Sequence, residues 1–329
     1  MSRSVLALCG GIGGAKLALG LARALGPGEL TILVNTGDDF EHLGLRISPD
    51  IDTVLYTLGG VADPERGWGR ADETWNFMSA VRQLGGETWF QLGDRDLAMH
   101  VARTKYLHDG GLLTDFVEQA ARRLGIDSCI LPMTDEDVRT IVETDEGSLE
   151  FQRYFVEHRC QPTVRSLWFA GASRTRVSAR VHRAIFDATR AIVICPSNPY
   201  LSIDPILAIP GVRAALLEAT APVVAVSPLI GGAAVKGPTA KIMEELGTPV
   251  SNVSIAAHYH GLIDGLVIDS VDAGDAVVID EPVRATRTLM QDMGDRVRLA
   301  KEVLAFAHTL APPRLERMLT RHVTVGVYA

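Results

Sequence analysis

Short apolar runs alternate with amphipathic stretches along the 329-residue chain. Residues 5–8 form an apolar, β-rich run that leads directly into Gly-Gly-Ile-Gly-Gly. Residues 15–25 carry leucines at helical spacing, and residues 30–34 form a second apolar run. The order of strand, glycine turn, helix and strand predicts the opening of a doubly wound parallel sheet.

Later segments continue this pattern. Apolar, β-branched runs that end in Pro, Asn, Ser or Gly are typical of buried parallel strands, and they lie at residues 191–195, 223–227 and 265–269. Helical spacing between and after them predicts helices at residues 174–188, 205–217, 239–246 and 296–310.

The alternation of strand and helix patterns is interrupted between residues 94 and 165. This stretch predicts helices at 94–107, 112–124 and 148–159, with a possible strand pair at 130–132 and 139–143. We therefore predict an α/β protein with a doubly wound, Rossmann-like parallel sheet. Residues 1–93 and 166–329 would form the nucleotide-binding domain, and residues 94–165 a smaller, mostly helical inserted domain that covers the acceptor site.

Charge and composition narrow the classes of function. The net charge is −8, from 32 basic and 40 acidic residues, which argues against a general nucleic-acid surface. No run of eighteen apolar residues predicts a membrane span. The four cysteines form no C-x-x-C pair and are expected to be reduced thiols of a cytoplasmic protein, with Cys9 and Cys195 in the core.

A glycine-rich loop is the first candidate for binding chemistry. Gly10, Gly11, Gly13 and Gly14 would let backbone N–H groups approach a phosphate at a helix N-terminus, and Lys16 would add a full charge. The motif matches neither a Walker A loop nor the dinucleotide fingerprint. A tight strand–helix turn without a ligand is the alternative.

Two pairs of carboxylates follow the second strand. Asp38 and Asp39, with Asp50 and Asp52, lie beside the glycine loop in sequence and are hypothesised to hold Mg²⁺ against phosphate oxygens. Asp38 or Asp39 could instead bind a ribose hydroxyl of NAD. Asp50 and Asp52 could also merely cap the helix that begins near residue 53.

A polar helix face and a group of tryptophans suggest a second substrate site. Asp96, His100 and Arg103 recur at i, i+4 and i+7 in a helix for which Asp94 resembles an N-cap. Three of the four tryptophans, Trp68 among them, lie within 22 positions and could stack on a ring system. The alternatives are a solvated helix face and ordinary core packing.

Two loops after later strands offer further groups for a nucleotide. Ser197 and Asn198 follow one strand, while Gly231, Gly232 and Lys236 follow the next. Ligands of open parallel sheets bind outside the carboxyl ends of the strands. Loops without a ligand remain the alternative. His258-Tyr259-His260 lacks further ligands at useful spacing, so we do not expect it to bind a metal.

Taken together, these blocks resemble the 2-phospho-L-lactate transferase family of coenzyme F420 biosynthesis, to about residue 310. No single block is specific, but eight occur in order. They are GGIGGAK at 10–16, NTGDD at 35–39, GLRISPDIDT at 44–53, TLGG at 57–60, GWGR at 67–70, GDRDLAMHVART at 93–104, CPSNPYLSIDPIL at 195–207 and SPLIGGAAVKGP at 227–238.

The resemblance implies a Mg²⁺-dependent reaction. A guanosine diphosphate ester of a three-carbon acid is attacked by the terminal ribityl hydroxyl of the deazaflavin Fo, and GMP leaves. Asp38, Asp39, Asp50 and Asp94 would be catalytic, and the family implies a homodimer. Under this interpretation the residues that contact Fo are Trp68, Asp94, Arg95, Asp96, His100 and Arg103.

The acid carried by the donor remains open. Glu41, in the run Phe40-Glu41-His42-Leu43, adds a negative charge near the predicted metal. Phospholactate, phosphoenolpyruvate and phosphoglycerate esters are all compatible. A non-enzymatic sensor of nucleotides or sugar nucleotides would keep the phosphate site without an acceptor site. An NAD-dependent oxidoreductase is disfavoured, because Lys16 stands where the dinucleotide motif has its third glycine.

Overall fold

The computed structural model describes residues 4–235 and 237–310. Within them, the strands are β1 Ser4–Cys9, β2 Leu30–Val34, β3 Phe40–His42, β4 Leu45–Ile47, β5 Cys129–Pro132, β6 Arg139–Thr144, β7 Gly147–Glu150, β8 Val164–Ala170, β9 Ala188–Ile194, β10 Val223–Val226, β11 Leu229–Ile230, β12 Ala233–Ala234, β13 Gly265–Asp269 and β14 Val283–Thr286. The α-helices are α1 Gly11–Ala24, α2 Pro49–Leu58, α3 Asn76–Gln83, α4 Asp94–His108, α5 Leu113–Arg123, α6 Ala179–Asp187, α7 Asp204–Leu207, α8 Val212–Glu218, α9 Thr239–Glu245, α10 Asn252–His258 and α11 Met293–Thr309.

Seven parallel strands form the central sheet, in the order β14-β13-β10-β9-β1-β2-β5. The chain moves from β1 through β2 to β5 on one side, and it later adds β9, β10, β13 and β14 on the other. The strand order therefore reverses between β1 and β9. In open α/β sheets a crevice forms outside the carboxyl ends of the strands at such a switch point.

Helices cover both faces of the sheet, as predicted. One apolar core joins the sheet to α1, α2, α5 and α11, and the other joins it to α6, α7, α8 and α10. Every residue of β10 and β13 is buried, which explains their continuous apolar sequences. Cys9 and Cys195 lie in the core, as expected.

A three-stranded antiparallel sheet, in the order β7-β6-β8, lies beside the central sheet. Its strand β6 contacts the loop after β2, where Thr140 N–H donates to Gly37 O over 2.7 Å. Its other end is tied to α9, because Val164 N–H donates to Glu245 over 2.9 Å. This small sheet thus supports the loop that carries two of the predicted aspartates.

Three local predictions are wrong. The strand at 130–132 pairs with β2 in the central sheet, and 139–144 pairs with β7 and β8 instead. Residues 147–150 form a strand where a helix was predicted, and only a short helical segment follows. The helix predicted over 205–217 is interrupted at Gly211, whose φ is +98°. β5 lies within the stretch assigned to an inserted domain, and the division into domains stays a prediction.

Among the described residues, no single helix is long and apolar enough to cross a membrane. One pair of helical segments, Pro199–Leu207 with Val212–Glu218, passes on length and composition together but is bent by 83°.

Candidate functional site

The loops after β1 and β9 join at the switch point of the sheet. Ser197 Oγ donates to Gly10 O over 2.8 Å and accepts from Gly10 N–H over 3.1 Å. Ser197 is 4% exposed, so its hydroxyl is fully used inside the protein. These contacts place the N-terminus of α1 at the crevice, with the positive end of the helix dipole facing it.

Two buried carboxylates lie at the same point. Asp50 Oδ1 accepts from Gly11 N–H over 2.7 Å, and Asn35 Nδ2 donates over 3.0 Å to both Asp50 Oδ2 and Asp38 Oδ1. Asp38 is 7% exposed and Asp50 5%. Asn35, the first residue after β2, therefore holds together two acids that are twelve positions apart in sequence.

Burial raises the pKa of these two acids and of the neighbouring Asp39. Burial, followed by the charge of Asp50, raises the pKa of Asp38 well above its ordinary value. Burial raises the pKa of Asp50 to about 6 and that of Asp39 to about 7, although hydrogen bonds from Asn35, Gly11 and Ser48 oppose the rise. A hard divalent cation binds such clustered carboxylate oxygens, so the residues present fit Mg²⁺.

Asp52 is turned away from this group. Both of its carboxylate oxygens accept from Arg103, Oδ1 from Nη1 over 2.7 Å and Oδ2 from Nη2 over 2.8 Å. Arg103 is completely buried and also donates to Arg46 O over 3.0 Å. The charge of Asp52 is thus already neutralised by Arg103, and its role as a Mg²⁺ ligand stays a prediction.

The predicted polar face of α4 exists, but it faces the interior. Asp96, His100 and Arg103 are 8%, 2% and 0% exposed. Arg103 Nη2 lies 2.8 Å from His100 Nδ1, which must accept because a guanidinium can only donate. Tyr56 OH donates to Asp96 over 2.5 Å. These side chains join α4 to α2, so their contacts favour a positioning role, and a contact with Fo stays a prediction.

Asp94 caps a different helix from the one expected. It is the first residue of α4, while its side chain accepts from Thr74 Oγ1, from both nitrogens of Asn76 and from Phe77 N–H, at 2.6–3.1 Å, at the start of α3. The hydrogen bonds from Thr74 and Phe77 lower the pKa of Asp94 to about 2. Glu73 in turn accepts from the N–H groups of residues 95 and 96. Asp94 thus caps α3, and Glu73 caps α4.

Arg95 and Trp68 lie at the surface near this end of α4. The Arg95 side chain is 55% exposed and lies 3.8 Å from Asp72. Trp68 is 44% exposed, and its ring lies edge-on to Trp75 at 6.3 Å. The guanidinium of Arg66 lies 5.0–5.4 Å from both ring centroids. Both side chains contact the segment 66–75, and a contact of either with Fo stays a prediction.

Glycine is required in the first loop for two different structural reasons, close packing and a positive φ. An added Cβ would lie 2.5 Å from Asp50 at Gly10 and 2.5 Å from Pro196 O at Gly13, so close packing excludes side chains there. Gly11 instead has a φ of +63° and open space around it. Gly14 is also closely packed, against Ser197 and Cys9. Lys16 Nζ donates to Met290 O over 3.1 Å.

The loop after β9 contains a helix cap, and the segment after β10 contains a hairpin turn. Asn198 Oδ1 accepts from the N–H groups of Tyr200 and Leu201, so Asn198 caps the following helical turn. Gly231 and Gly232 have φ of +62° and +69° and form the two-residue turn between β11 and β12. Both loops lie at the carboxyl edge, as predicted. Lys236 lies outside the described residues.

Asp39 lines a cavity next to the carboxylate pair. Its Oδ2 accepts from Ser48 Oγ over 2.6 Å, and its Oδ1 has no hydrogen-bond partner within residues 4–235 and 237–310. The cavity has a volume of about 480 Å³ and is bounded by the loops after β2 and β5 and by the last turn of α4.

Asn35 and Glu73 hold important positions for which the sequence predicted no role. The signal for Asn35 was its position directly after a buried strand, equivalent to that of Gly10 after β1. No local signal identified Glu73, because its partners lie 22 and 23 positions away.

Comparison with known proteins identifies the family. The family described as "2-phospho-L-lactate transferase CofD" matches residues 5–306. A phosphoenolpyruvate transferase from Streptomyces griseus is 39% identical and covers 92% of this chain and 98% of its own. A phosphoenolpyruvate transferase from Kitasatospora aureofaciens is 40% identical and covers 92% of this chain and 97% of its own. A phosphoenolpyruvate transferase from Mycobacterium tuberculosis is 39% identical and covers 88% of this chain and 94% of its own.

A crystal structure of a UPF0052 family member from Bacillus halodurans shares the fold, with a TM-score of 0.61 and 15% identity over 92% of this chain and 99% of its own. The match across nearly the whole chain shows that the protein belongs to the 2-phospho-L-lactate transferase CofD family, the transferases of coenzyme F420 biosynthesis.

Proposed function

We propose that this protein transfers a phosphorylated three-carbon acid from a guanosine diphosphate ester to the terminal ribityl hydroxyl of the deazaflavin Fo. The observation that carries the proposal is the meeting of Asp38, Asp50 and the N-terminus of α1 at the switch point. An anion site and an adjoining acidic pair are the two parts that the transfer of a charged phosphoryl group requires.

The reaction breaks a phosphoanhydride bond and forms a phosphate ester bond. The hydroxyl oxygen of Fo forms a bond to the phosphorus that carries the acid. The bond from that phosphorus to the oxygen bridging the two phosphates breaks, GMP leaves, and the hydroxyl releases its proton. Because the transition state of such transfers is loose, catalysis depends mainly on positioning and on charge neutralisation.

This chain's residues would bind and orient the donor. The first turn of α1 offers N–H groups that have no intrahelical partner, and the loops after β9 and β10 lie along the same edge. Asn35 fixes the separation of Asp38 and Asp50, and the small sheet fixes the loop of Asp38 through Thr140. Asp38 and Asp50 would hold Mg²⁺, which when bound neutralises phosphate charge.

Phosphoenolpyruvate is the acid that we propose for the donor. The relatives at 37–40% identity are named phosphoenolpyruvate transferases, and the match covers at least 88% of this chain. The phospholactate and phosphoglycerate esters are the competing donors. A cytoplasmic homodimer is the assembly that we expect.

The test is a mass-spectrometric transfer assay. Fo and Mg²⁺ are supplied separately with the guanosine diphosphate esters of enolpyruvate, lactate and glycerate, and both GMP and the Fo phosphodiester are quantified. We expect the enolpyruvyl ester to give the highest kcat/KM. A faster reaction with either of the other esters would show that the donor carries a different acid, and the proposed reaction would still stand. Absence of any Fo product with all three would refute the proposed function.

A further inference from the structure

The segment 199–207, which follows the loop after β9, is bonded to the residue that holds the two acids together. Leu201 O accepts from Asn35 Nδ2 over 3.2 Å. The same nitrogen donates to Asp38 and Asp50. The two hydrogens of this amide group are therefore shared among three acceptors. A displacement of Leu201 would change the position of Asn35, and with it the separation of the two carboxylates.

The same segment packs closely on two glycines of the site. A Cβ added at Gly10 would lie 2.6 Å from Ser202 Cβ. A Cβ added at Gly37 would lie 2.9 Å from Pro205 Cβ. Gly10 directly precedes α1, and Gly37 lies in the loop after β2. The segment 199–207 thus contacts both parts of the proposed donor site, the N-terminus of α1 and the acidic loop.

A histidine–aspartate pair joins this segment to α10. Nε2 of His258, the last residue of α10, lies 2.9 Å from Oδ1 of Asp204, the first residue of α7. Because an ionised carboxylate only accepts hydrogen bonds, His258 Nε2 carries the hydrogen. The ring of Tyr200 lies edge-on to that of His258 at 4.8 Å. Ile255 and Ala256 anchor α10 in the core, so the helix is a fixed support for this bond.

We propose that His258 is a positioning residue for the donor site, which acts through Asp204 and the segment 199–207 on Asn35. The inference rests on the proposed function, in which the two acids that Asn35 holds bind Mg²⁺. The path is short, because Asp204 follows three positions after Leu201, whose carbonyl accepts from Asn35. Without the bond from His258 the segment can shift, and the acids then lose the separation that suits one divalent ion.

The first test compares three variants by calorimetry with Mg²⁺ alone. His258→Leu removes the donor, whereas His258→Gln offers an amide N–H at nearly the same place. His260→Leu is the matched control, because His260 also lies beside a carboxylate, with its Nδ1 3.2 Å from Glu281 Oε1, but Glu281 precedes β14. Affinity for Mg²⁺ should fall by about three- to tenfold in His258→Leu and stay near the wild-type value in the other two.

Steady-state kinetics distinguish positioning from a general loss of stability. In His258→Leu the KM values for Mg²⁺ and for the donor ester should rise, while kcat at saturation and the KM for Fo stay near their wild-type values. A variant that is only less stable would lower kcat, because less protein is folded, and would leave every KM unchanged. That second pattern would overturn the inference.

The second test removes the acceptor of the same bond. Asp204→Ala should weaken Mg²⁺ binding as His258→Leu does, and the double variant should weaken it no further, since each change breaks the one bond. Fully additive losses would show that the two side chains act separately and would contradict the inference. So would equal Mg²⁺ affinities in His258→Leu and His260→Leu. If wild type forms no Fo product, the proposed function fails, and the Mg²⁺ titrations still decide the role of His258.

Discussion

Asp50 accepts hydrogen bonds from Gly11 and Asn35, and yet its pKa rises from 3.8 to about 6 because burial outweighs both bonds. The folded state therefore binds the Asp50 proton more tightly than the unfolded chain does. The stability that this proton provides is present below the unfolded pKa and is lost as the pH rises through about 6. An ionised Asp50 costs stability unless a cation accompanies it.

The first prediction compares Asp50→Asn with wild type. In metal-free buffer the melting temperature of the variant, relative to wild type, should increase between pH 5 and pH 8, because Asn cannot ionise. Mg²⁺ should stabilise wild type and not the variant, and turnover of the variant should fall by orders of magnitude. Asp115→Asn, in an exposed ion pair, is the control. A pH-independent difference in melting temperature would contradict the electrostatic account.

Asp52 shows what the sequence could and could not predict at this scale. Asp50 and Asp52 were both predicted to hold Mg²⁺, but α2 begins at Pro49, and residues i and i+2 of a helix point about 200° apart. The partner of Asp52 could not be predicted, since Arg103 lies 51 positions away. The partner of Gly13 could not be predicted either. The glycine-rich motif suggested that Gly13 contacts a phosphate, but an added Cβ would lie 2.5 Å from Pro196 O. Gly13→Val therefore tests folding and not nucleotide binding.

At the scale of elements, α4 and α2 are joined by a buried ionic contact. Arg103 binds Asp52 through two hydrogen bonds, and both groups are removed from water. Removing one partner of such a pair leaves an uncompensated buried charge, which costs far more than the pair contributes as a whole. The contact thus ties α4 to α2, the helix that carries Asp50.

The second prediction concerns that contact. Arg103→Leu should lower the free energy of unfolding by about 3–5 kcal/mol in urea titrations, because Asp52 is left buried without its partner. The double variant Asp52→Asn with Arg103→Leu should cost less than the sum of the two single changes. Arg180→Leu, which breaks an exposed pair with Asp115, should cost about 0–1 kcal/mol. Strict additivity would show that the two side chains do not act as a pair.

The third prediction concerns the mutual capping of α3 and α4. Asp94→Ala removes the acceptor for the N–H groups of Asn76 and Phe77, so the melting temperature should fall. Because the pKa of Asp94 is about 2, this stabilisation is present above the unfolded pKa and is lost as the pH falls through about 2. GDP affinity should not change. A loss of turnover by orders of magnitude, with Fo saturating and the fold intact, would support the prediction that Asp94 is catalytic.

At the scale of the whole molecule, the sequence predicted the central strands β1, β2, β9, β10 and β13, because buried parallel strands have continuous apolar sequences. It missed β14, an edge strand with the half-exposed sequence Val-Arg-Ala-Thr. It misplaced β5, whose short apolar run carries no information about which distant strand it pairs with. Strand pairing is a property of the assembled sheet and is therefore the weakest part of a prediction from sequence.

The assembled site also explains why the affinities for GDP and Mg²⁺ should depend on each other. The chain carries a net charge of −8, and three buried aspartates surround the place where we expect the donor phosphates. Without a cation, these carboxylates repel a diphosphate; with Mg²⁺ bound, the same oxygens attract it through the metal. Linkage requires that GDP raise the affinity for Mg²⁺ by the same factor.

The final prediction follows from this coupling. In calorimetry, Mg²⁺ should tighten GDP binding by about 5- to 150-fold compared with EDTA, the range usual for coupled sites. In EDTA, added KCl should tighten the residual GDP binding, because salt screens the repulsion. In Asp50→Asn both effects should shrink, since one carboxylate of the pair is gone. GDP affinity that is equal with and without Mg²⁺ would separate the nucleotide from the aspartates, and the donor phosphates would then have to bind away from the switch point.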